Sequence, residues 1–250
     1  MISIIVPTYK RPDLTEVCID SIFLYTKDFE LILIQEGEDE EITKLLTQKF
    51  QFLLTNGEKI KFTQNKTPKG FSGAMNTGLD LASKDSTHYC FMNNDVVVTP
   101  GWMDAMLKAF DLGEVGIVTP TMQNTRGAQS MDWNDGKEFT YVYDPMALMG
   151  VCYLISKEAL NELKRKEDLT DEPCAGRWDE RFGQGGYEDY DLALRMHNAG
   201  YNTVVARKAF IYHYSGATFR EVFGGQMETL VDYCKGQCKI LETKHHIKIQ

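Results

Sequence analysis

Across the first hundred residues, short apolar runs alternate with amphipathic stretches, and that alternation leaves few folds open to the chain. Ile2-Ser3-Ile4-Ile5-Val6 is mostly β-branched and unbroken, the pattern of a strand buried on both faces. Pro7 is expected to end it. Asp13, with Glu16 three residues on, resembles a capping box, and Leu14, Val17, Cys18, Ser21 and Ile22 follow helical spacing. Leu31-Ile32-Leu33-Ile34 reads as a second buried strand, broken at Gln35-Glu36-Gly37. The pattern then predicts a helix over 39–50, a strand over 59–64, a helix from Ser72 to Ala82 and a strand from His88 to Met92. Such alternation belongs to a doubly wound α/β sheet with right-handed crossovers. Ligands of these sheets bind beyond the carboxyl ends of the strands. Thr8-Tyr9-Lys10-Arg11, Gln35-Glu36 and Asn93-Asn94-Asp95 each follow a strand directly.

The second half is less regular. Residues 121–145 mix Gly, Asn, Asp and aromatics and read as a long loop. A helix over 156–166 is capped by Ser156, and another from Tyr190 to Ala199 stops at Gly200. Tyr201–Ala206 and Ala209–His213 read as two strands. In the tail, Met227, Leu230, Val231, Cys234, Cys238 and Leu241 share one helical face, so the tail is expected to pack on the body.

Bulk properties exclude several classes. The 250 residues suffice for one domain with a full core. A net charge of −9 gives no general attraction to phosphate backbones, which argues against a non-specific nucleic-acid binder. The six cysteines form no CxxC pair, so neither a zinc ribbon nor a thioredoxin-like motif is available. They read as reduced thiols of a cytosolic protein. No apolar stretch approaches the ~20 residues needed to span a bilayer, and the opening run is too short for a signal peptide.

Four segments carry chemistry. Asn93-Asn94-Asp95 is good turn chemistry in itself, but a carboxylate at a strand end can also hold a divalent cation bridging a diphosphate. Gly186-Tyr187-Glu188-Asp189-Tyr190-Asp191 opens a helix with three acids in four residues. Acids suit a helix start, and a carboxylate here can also serve as general base toward an attacking hydroxyl. His213 leaves the last strand on the same sheet edge as Asp95; a lone histidine among aromatics is commonly a core residue, and there it can also ligate a metal. Asn65–Asn76 joins a strand to a helix whose N–H groups, with Lys66 or Lys69, can approach phosphate, although it has neither P-loop nor GxGxxG order. The paired His245 and His246 read as solvated surface, and Lys235, Lys239, Lys244 and Lys248 as a solvated helix face.

Together these segments resemble the family 2 glycosyltransferases, along a stretch from Ile2 to about Ser215. The carriers are Pro7-Thr8-Tyr9-Lys10-Arg11, Asn65–Asn76, Asn93-Asn94-Asp95, Gly101-Trp102, Trp178-Asp179-Glu180-Arg181-Phe182, Glu188-Asp189-Tyr190-Asp191-Leu192 with Arg195, and His213. The triplet Asn-Asn-Asp resembles the rhamnosyl- and galactofuranosyl-transferase-like branch. The resemblance implies a GT-A fold: a Rossmann-like mixed sheet with helices on both faces, one domain over 1–220 and a helical tail over 221–250. Residues 1–120 would hold the nucleotide-sugar and 121–220 the acceptor and the catalytic groups. It further implies an inverting, metal-dependent glycosyltransferase passing a sugar from a UDP- or dTDP-sugar to an acceptor hydroxyl. Pro7, Thr8, Tyr9, Arg11, Glu36, Lys66, Gly70, Asn76, Asn93 and Asn94 would contact the donor. Asp95 and His213 would ligate Mn²⁺ or Mg²⁺, Asp189 would be the base supported by Glu188, and Trp178, Tyr187 and Asp191 would meet the acceptor. That acceptor would be a glycan or lipid-linked glycan, with a modified nucleic-acid base less favoured, and the setting the cytoplasm or the inner membrane surface. A catalytically inactive GT-A-like binding module and a sugar-1-phosphate nucleotidyltransferase are the alternatives. The second wants a glycine- and arginine-rich opening loop, which Pro7-Thr8-Tyr9 is not.

Overall fold

The computed structural model describes all residues except 58, 134, 145–147, 171, 173, 215–226 and 250, and the backbone alone of Met227. The first half alternates strand and helix: β1 (Ile2–Thr8), α1 (Pro12–Tyr25), β2 (Phe29–Glu36), α2 (Glu40–Thr55), β3 (Ile60–Asn65), α3 (Gly70–Leu81) and β4 (His88–Met92). Then follow β5 (Val96–Val98), α4 (Trp102–Lys108), β6 (Val115–Met122), β7 (Phe139–Val142), β8 (Cys152–Ser156), α5 (Lys157–Glu167), α6 (Glu188–Asn198), β9 (Asn202–His213) and α7 (Met227–His245). Among the described residues all strands join one sheet, ordered β3-β2-β1-β4-β8-β6-β9-β5, with β7 also paired to β9. β3, β2, β1 and β4 run parallel, whereas β8 is antiparallel to β4 and β6, and β5 antiparallel to β9. The sheet is therefore mixed, as the resemblance implied.

Strand periodicity explains the two cores. Ile4, Val6, Leu31, Leu33, Cys90 and Met92 point to one face, where α1, α2 and α4 contribute Cys18, Ile22, Leu46, Trp102 and Met106. Their neighbours Ile5, Ile32, Ile34 and Phe91 point to the other, against Met75 of α3, Leu160 and Leu163 of α5, and Leu192 and Met196 of α6. Successive residues of one strand thus feed opposite cores, and each fully buried aliphatic side chain contributes about 1.5–3 kcal/mol.

Several expectations are corrected. Pro7 lies inside β1 rather than ending it: the ladder to β4 stops at Ile5, while Pro7 and Thr8 pair with β2. The capping box of Asp13 and Glu16 does not form; Arg11 occupies the N-cap in a left-handed conformation, Pro12 starts the helix, and Asp13 accepts instead from the Arg11 guanidinium (Nε, 2.9 Å). Val17 faces outward. β2 continues through Gln35 and Glu36, which pair with Gln64 and Asn65. Residues 121–145 are not one loop: β6 reaches Met122 and β7 adds to β9. The two strands expected over 201–213 are one, because a register shift against β6 at Pro120/Thr121 absorbs the interruption. Ser156 does cap α5, accepting from the Ala159 N–H at 3.1 Å. In the tail, Leu241 is buried but Val231 is exposed. The Met227 side chain, Ser215 and the boundary drawn after 220 fall outside the described residues. All six cysteines are free. No helix among the described residues is long and apolar enough to cross a membrane.

Candidate active site

One cleft of ≈ 540 Å³ opens at the carboxyl ends of β1, β2 and β4, where the doubly wound topology places ligands. Its lining includes Pro7, Tyr9, Glu36, Gly70, Asn93, Asn94, Asp95, Tyr187, Glu188, Asp189 and His213. Eleven of the seventeen residues singled out from the sequence are thus brought together.

Asp95 and His213 meet because β5 and β9 pair antiparallel with Val96 opposite His213. The ladder sets the His213 imidazole Nε2 3.4 Å from Asp95 Oδ1, both side chains being buried. Asp95 Oδ1 and Asn93 Oδ1 are buried without a hydrogen-bond partner among the described residues. A buried polar atom without a partner costs about 1–3 kcal/mol. Two orphaned oxygens and an imidazole are a donor set suited to a divalent cation such as Mg²⁺ or Mn²⁺. Asn94 instead braces the backbone. Its Nδ2 donates to Thr15 Oγ1 (2.7 Å) and the Lys10 carbonyl (3.4 Å), tying the β4 exit to the loop after β1.

Opposite this pair stands the start of α6. Tyr187 takes the N-cap position in a left-handed conformation (φ 71°), unusual for a residue with a Cβ, so the helix opens abruptly on Glu188 and Asp189. Asp189 is half-buried and held at both oxygens: Oδ2 accepts from the Gly150 N–H (2.8 Å) and Oδ1 from the Tyr190 N–H (2.9 Å). A Cβ at Gly150 would lie 2.5 Å from that of Asp189, so only glycine admits this approach. Glu188 is buried and its Oε2 has no partner among the described residues. Burial, reinforced by the neighbouring carboxylates, pushes Glu188 up to about 8. Burial likewise pushes Asp189 up to about 6 against the pull of its backbone donors. Two adjacent carboxyls whose affinities for protons are driven apart can divide acid and base roles near neutral pH.

Glu36 lines the cleft from below and also anchors α3. Its Oε2 accepts from the Lys69 and Gly70 N–H groups (2.6 and 3.0 Å), and its Oε1 from Asn65 Nδ2 (2.6 Å). Gly70 sits at φ +72°, and a Cβ there would meet the Gly183 carbonyl oxygen at 1.9 Å.

Six expected residues stand elsewhere. Thr8 is buried, donating to the Ile34 carbonyl. Arg11 pairs with Asp13, and Lys66 is exposed away from the lining. Asn76 locks α3 to the 178–180 segment, donating to the Trp178 carbonyl and to Glu180 Oε1 and accepting from the Trp178 N–H. Trp178, at 2% exposure, packs among Phe71, Phe91 and Tyr153 and offers no face to a sugar. Asp191, at 0% exposure, points away from the cleft into a buried charge cluster with Arg195, Lys244 and His245.

Sequence reasoning missed two groups. Leu230 and Cys234 of α7 line the cleft. Lys244 and His245, read as surface, are largely buried against Asp191. The signal was present: Lys244 follows the buried Leu241 by three residues and Gln237 by seven, on one helical face. Outside the cleft, Glu172, Cys174 and Asp179 also cluster closely enough to hold an ion. The Lys244 ammonium already sits among them, 3.2 Å from Glu172 and 2.9 Å from Asp179, and supplies the positive charge there.

Comparison with known proteins gives the family. Residues 3–177 match the model of glycosyl transferase family 2. The chain is 24% identical over 244 residues to the O-antigen biosynthesis protein RfbC of Myxococcus xanthus, covering 88% of this chain but 18% of that protein. Among solved structures it resembles residues 1–349 of S. aureus TarS (TM-score 0.63, 18% identity, 88% of this chain and 62% of that one). It also resembles the mannosyltransferase PcManGT of Pyrobaculum calidifontis, solved with GDP-Man and Mn²⁺ (TM-score 0.65, 15% identity, 85% and 56%). A third is GalNAc-T7, solved with UDP, GalNAc and Mn²⁺ (TM-score 0.66, 14% identity, 85% and 43%). The chain thus spans under two thirds of the length of each, and at these identities the structures bear on the fold alone. With the family model covering more than half of its residues, the chain belongs to glycosyl transferase family 2.

Proposed function

We propose that the chain transfers a sugar from a nucleotide-sugar to an acceptor hydroxyl in one displacement that inverts the anomeric carbon. The observation that carries the reading is the cleft itself, which sets the orphaned Asp95 and Asn93 oxygens and His213 in one space with Glu188 and Asp189. Asp95 and His213 would hold Mn²⁺ or Mg²⁺, which when bound would offset the charge of the departing diphosphate. Pro7, Tyr9 and Glu36 would border the nucleotide, so that residues 1–120 hold the donor and 121–220 the acceptor. Asp189, ionised at neutral pH yet a stronger base than a free carboxylate, takes the proton of the acceptor hydroxyl as its oxygen bonds to the anomeric carbon. The bond from that carbon to the diphosphate oxygen breaks on the opposite face. Glu188, protonated at neutral pH, keeps a second negative charge out of the site and can donate a hydrogen bond to a sugar hydroxyl. Tyr187, at the cleft wall beside Tyr190 (ring centroids 5.3 Å), offers a ring for a sugar face.

A UDP- or dTDP-sugar is the donor class proposed, with the rhamnosyl- and galactofuranosyl-transferase-like branch as the nearest kind. A glycan or lipid-linked glycan is the acceptor and the cytoplasm or inner membrane surface the setting. The net charge of −9 is consistent with disfavouring a nucleic-acid acceptor. The test is a thermal-shift screen of UDP-, GDP-, CMP- and dTDP-sugars with and without Mn²⁺. A ligand at a hundredfold excess over its Kd stabilises the native state by ~2.7 kcal/mol. A shift with one nucleotide class that requires the metal is expected, and absence of any shift in all four would overturn the donor site.

A further inference from the structure

The segment that delivers Glu188 and Asp189 to the cleft is rich in glycine and in left-handed backbone. Gly183, Gly185, Gly186 and Tyr187 all have positive φ (53°, 117°, 102° and 71°), and glycines lose more freedom on ordering than other residues. Something outside the loop must therefore fix where its end stands. Lys244 of α7 does so from a buried position, its side chain 5% exposed. Its ammonium contacts Asp179 Oδ2 at 2.9 Å, just before the loop, and Asp191 Oδ1 at 2.8 Å, just after it. His245 Nε2 adds a contact to the same Asp191 oxygen at 2.8 Å. On the far side Arg195 Nε reaches Asp191 Oδ2 at 2.9 Å and Arg195 Nη1 reaches Glu167 at 3.0 Å. Earlier in α7, the Tyr233 hydroxyl donates to the Phe182 carbonyl (3.1 Å), and Gln237 lies over Gly186. The tail helix is thus strapped across the loop, with one cation joining its two ends.

We infer that Lys244 is a positioning residue: by joining Asp179 to Asp191 it sets how far Glu188 and Asp189 reach into the cleft and how completely water is kept from them. The inference rests on the reading of these two carboxyls as the catalytic pair. Lys244 touches neither of them; it holds the loop ends and neutralises Asp191, whose charge reaches Glu188. Facing the pair are Tyr153 of β8, Tyr187 and Tyr190 of its own segment, and Tyr233 of α7, while the Asp191 carboxylate, turned into the cluster, acts on Glu188 through charge alone.

The experiment is a carboxyl ¹³C NMR titration of the full chain labelled at Asp and Glu, with Glu188→Gln and Asp189→Asn identifying the two resonances. In the wild type both titrate above the ordinary carboxylate range. In Lys244→Met the loosened loop admits water and both midpoints fall by about one pH unit or more, as desolvation is relieved. Lys244→Arg, which preserves the bridge, keeps them near their wild-type values. Lys244→Met with Asp179→Asn removes one acid left without its cation, and gives the same fall in a chain that keeps its fold if the single variant does not. A lower melting temperature with both midpoints unmoved would make Lys244 a stabilising residue only and overturn the inference. The measurement needs no turnover, so failure of every nucleotide-sugar to bind would sink the proposed function and leave this result standing.

Discussion

A carboxyl group buried with an unpartnered oxygen lowers the stability of the fold that holds it, and among the described residues Glu188 is such a group. Because its folded-state proton affinity is raised, the native state binds the proton more tightly than the unfolded chain. Wild-type stability should therefore fall as pH rises from the ordinary glutamate value toward about 8, and level off above. Glu188→Gln escapes that loss. Its advantage in unfolding free energy should be absent below about pH 4, grow through that window and reach on the order of 5 kcal/mol at about pH 8 to 9. A constant difference at all pH values would contradict the assignment. Asp189→Asn should lower turnover about 10²–10⁴-fold with nucleotide binding kept within about twofold, measured by calorimetry beside initial rates. Asp95→Ala and His213→Ala should each weaken or abolish the Mn²⁺-dependent thermal shift with the donor; in the second, a lower melting temperature with that metal-dependent shift intact would assign His213 to the core. Their gathering in one cleft was legible in the sequence because Asp95 follows a strand, His213 ends one, and Glu188 and Asp189 open a helix. Trp178 and Asp191 were misplaced because composition cannot say on which side of a turn a side chain falls. Trp178 turns into the second core, and Asp191 turns toward Arg195, one helical turn on along α6.

Among the elements, the alternation of apolar runs with amphipathic stretches was enough to place β1 to β4 and α1 to α3, whose patterns are local. What it missed depends on partners far along the chain. Pro7 stays in its strand because β4 no longer pairs there, and β9 runs through its interruption because β6 shifts register to meet it. β7 exists only as an addition to β9. The glycine-rich segment after β3 was read as a phosphate approach, while in the fold its first duty is contact: Gly70 lies where any side chain would strike Gly183. Gly70→Ala should therefore destabilise by about 1–3 kcal/mol through its positive φ and that clash, seen as a shift in the denaturation midpoint. A neutral result would show that the 183–186 loop gives way freely.

For the whole molecule, the single sheet matters more than any boundary drawn within it. Residues on one strand serve both cores, so loss of either should propagate through the sheet to the other. Leu33→Ala on one face and Ile32→Ala on the other, both fully buried, should each cost about 2–5 kcal/mol. Both should retain one transition, coincident by circular dichroism and by tryptophan fluorescence. Two separated transitions in either variant would mean that the faces melt independently. The tail was expected only to pack on the body; in the fold it also lines the cleft and supplies Lys244 to the buried cluster.

The pairing of β5 with β9 has a bearing on the order in which the protein is made. Asp95 is translated early and His213 late, and the ladder that brings them together cannot close before β9 exists. Chains fold as they emerge, N-terminal parts first, so a half-made chain can build β1 to β4 and present Asp95 without its imidazole partner. The acids that open α6 likewise follow every described strand but β9. If Asp95 and His213 hold the metal as proposed, completion of that centre waits for the whole sheet, and a chain that ends before β9 has only one of the two ligands.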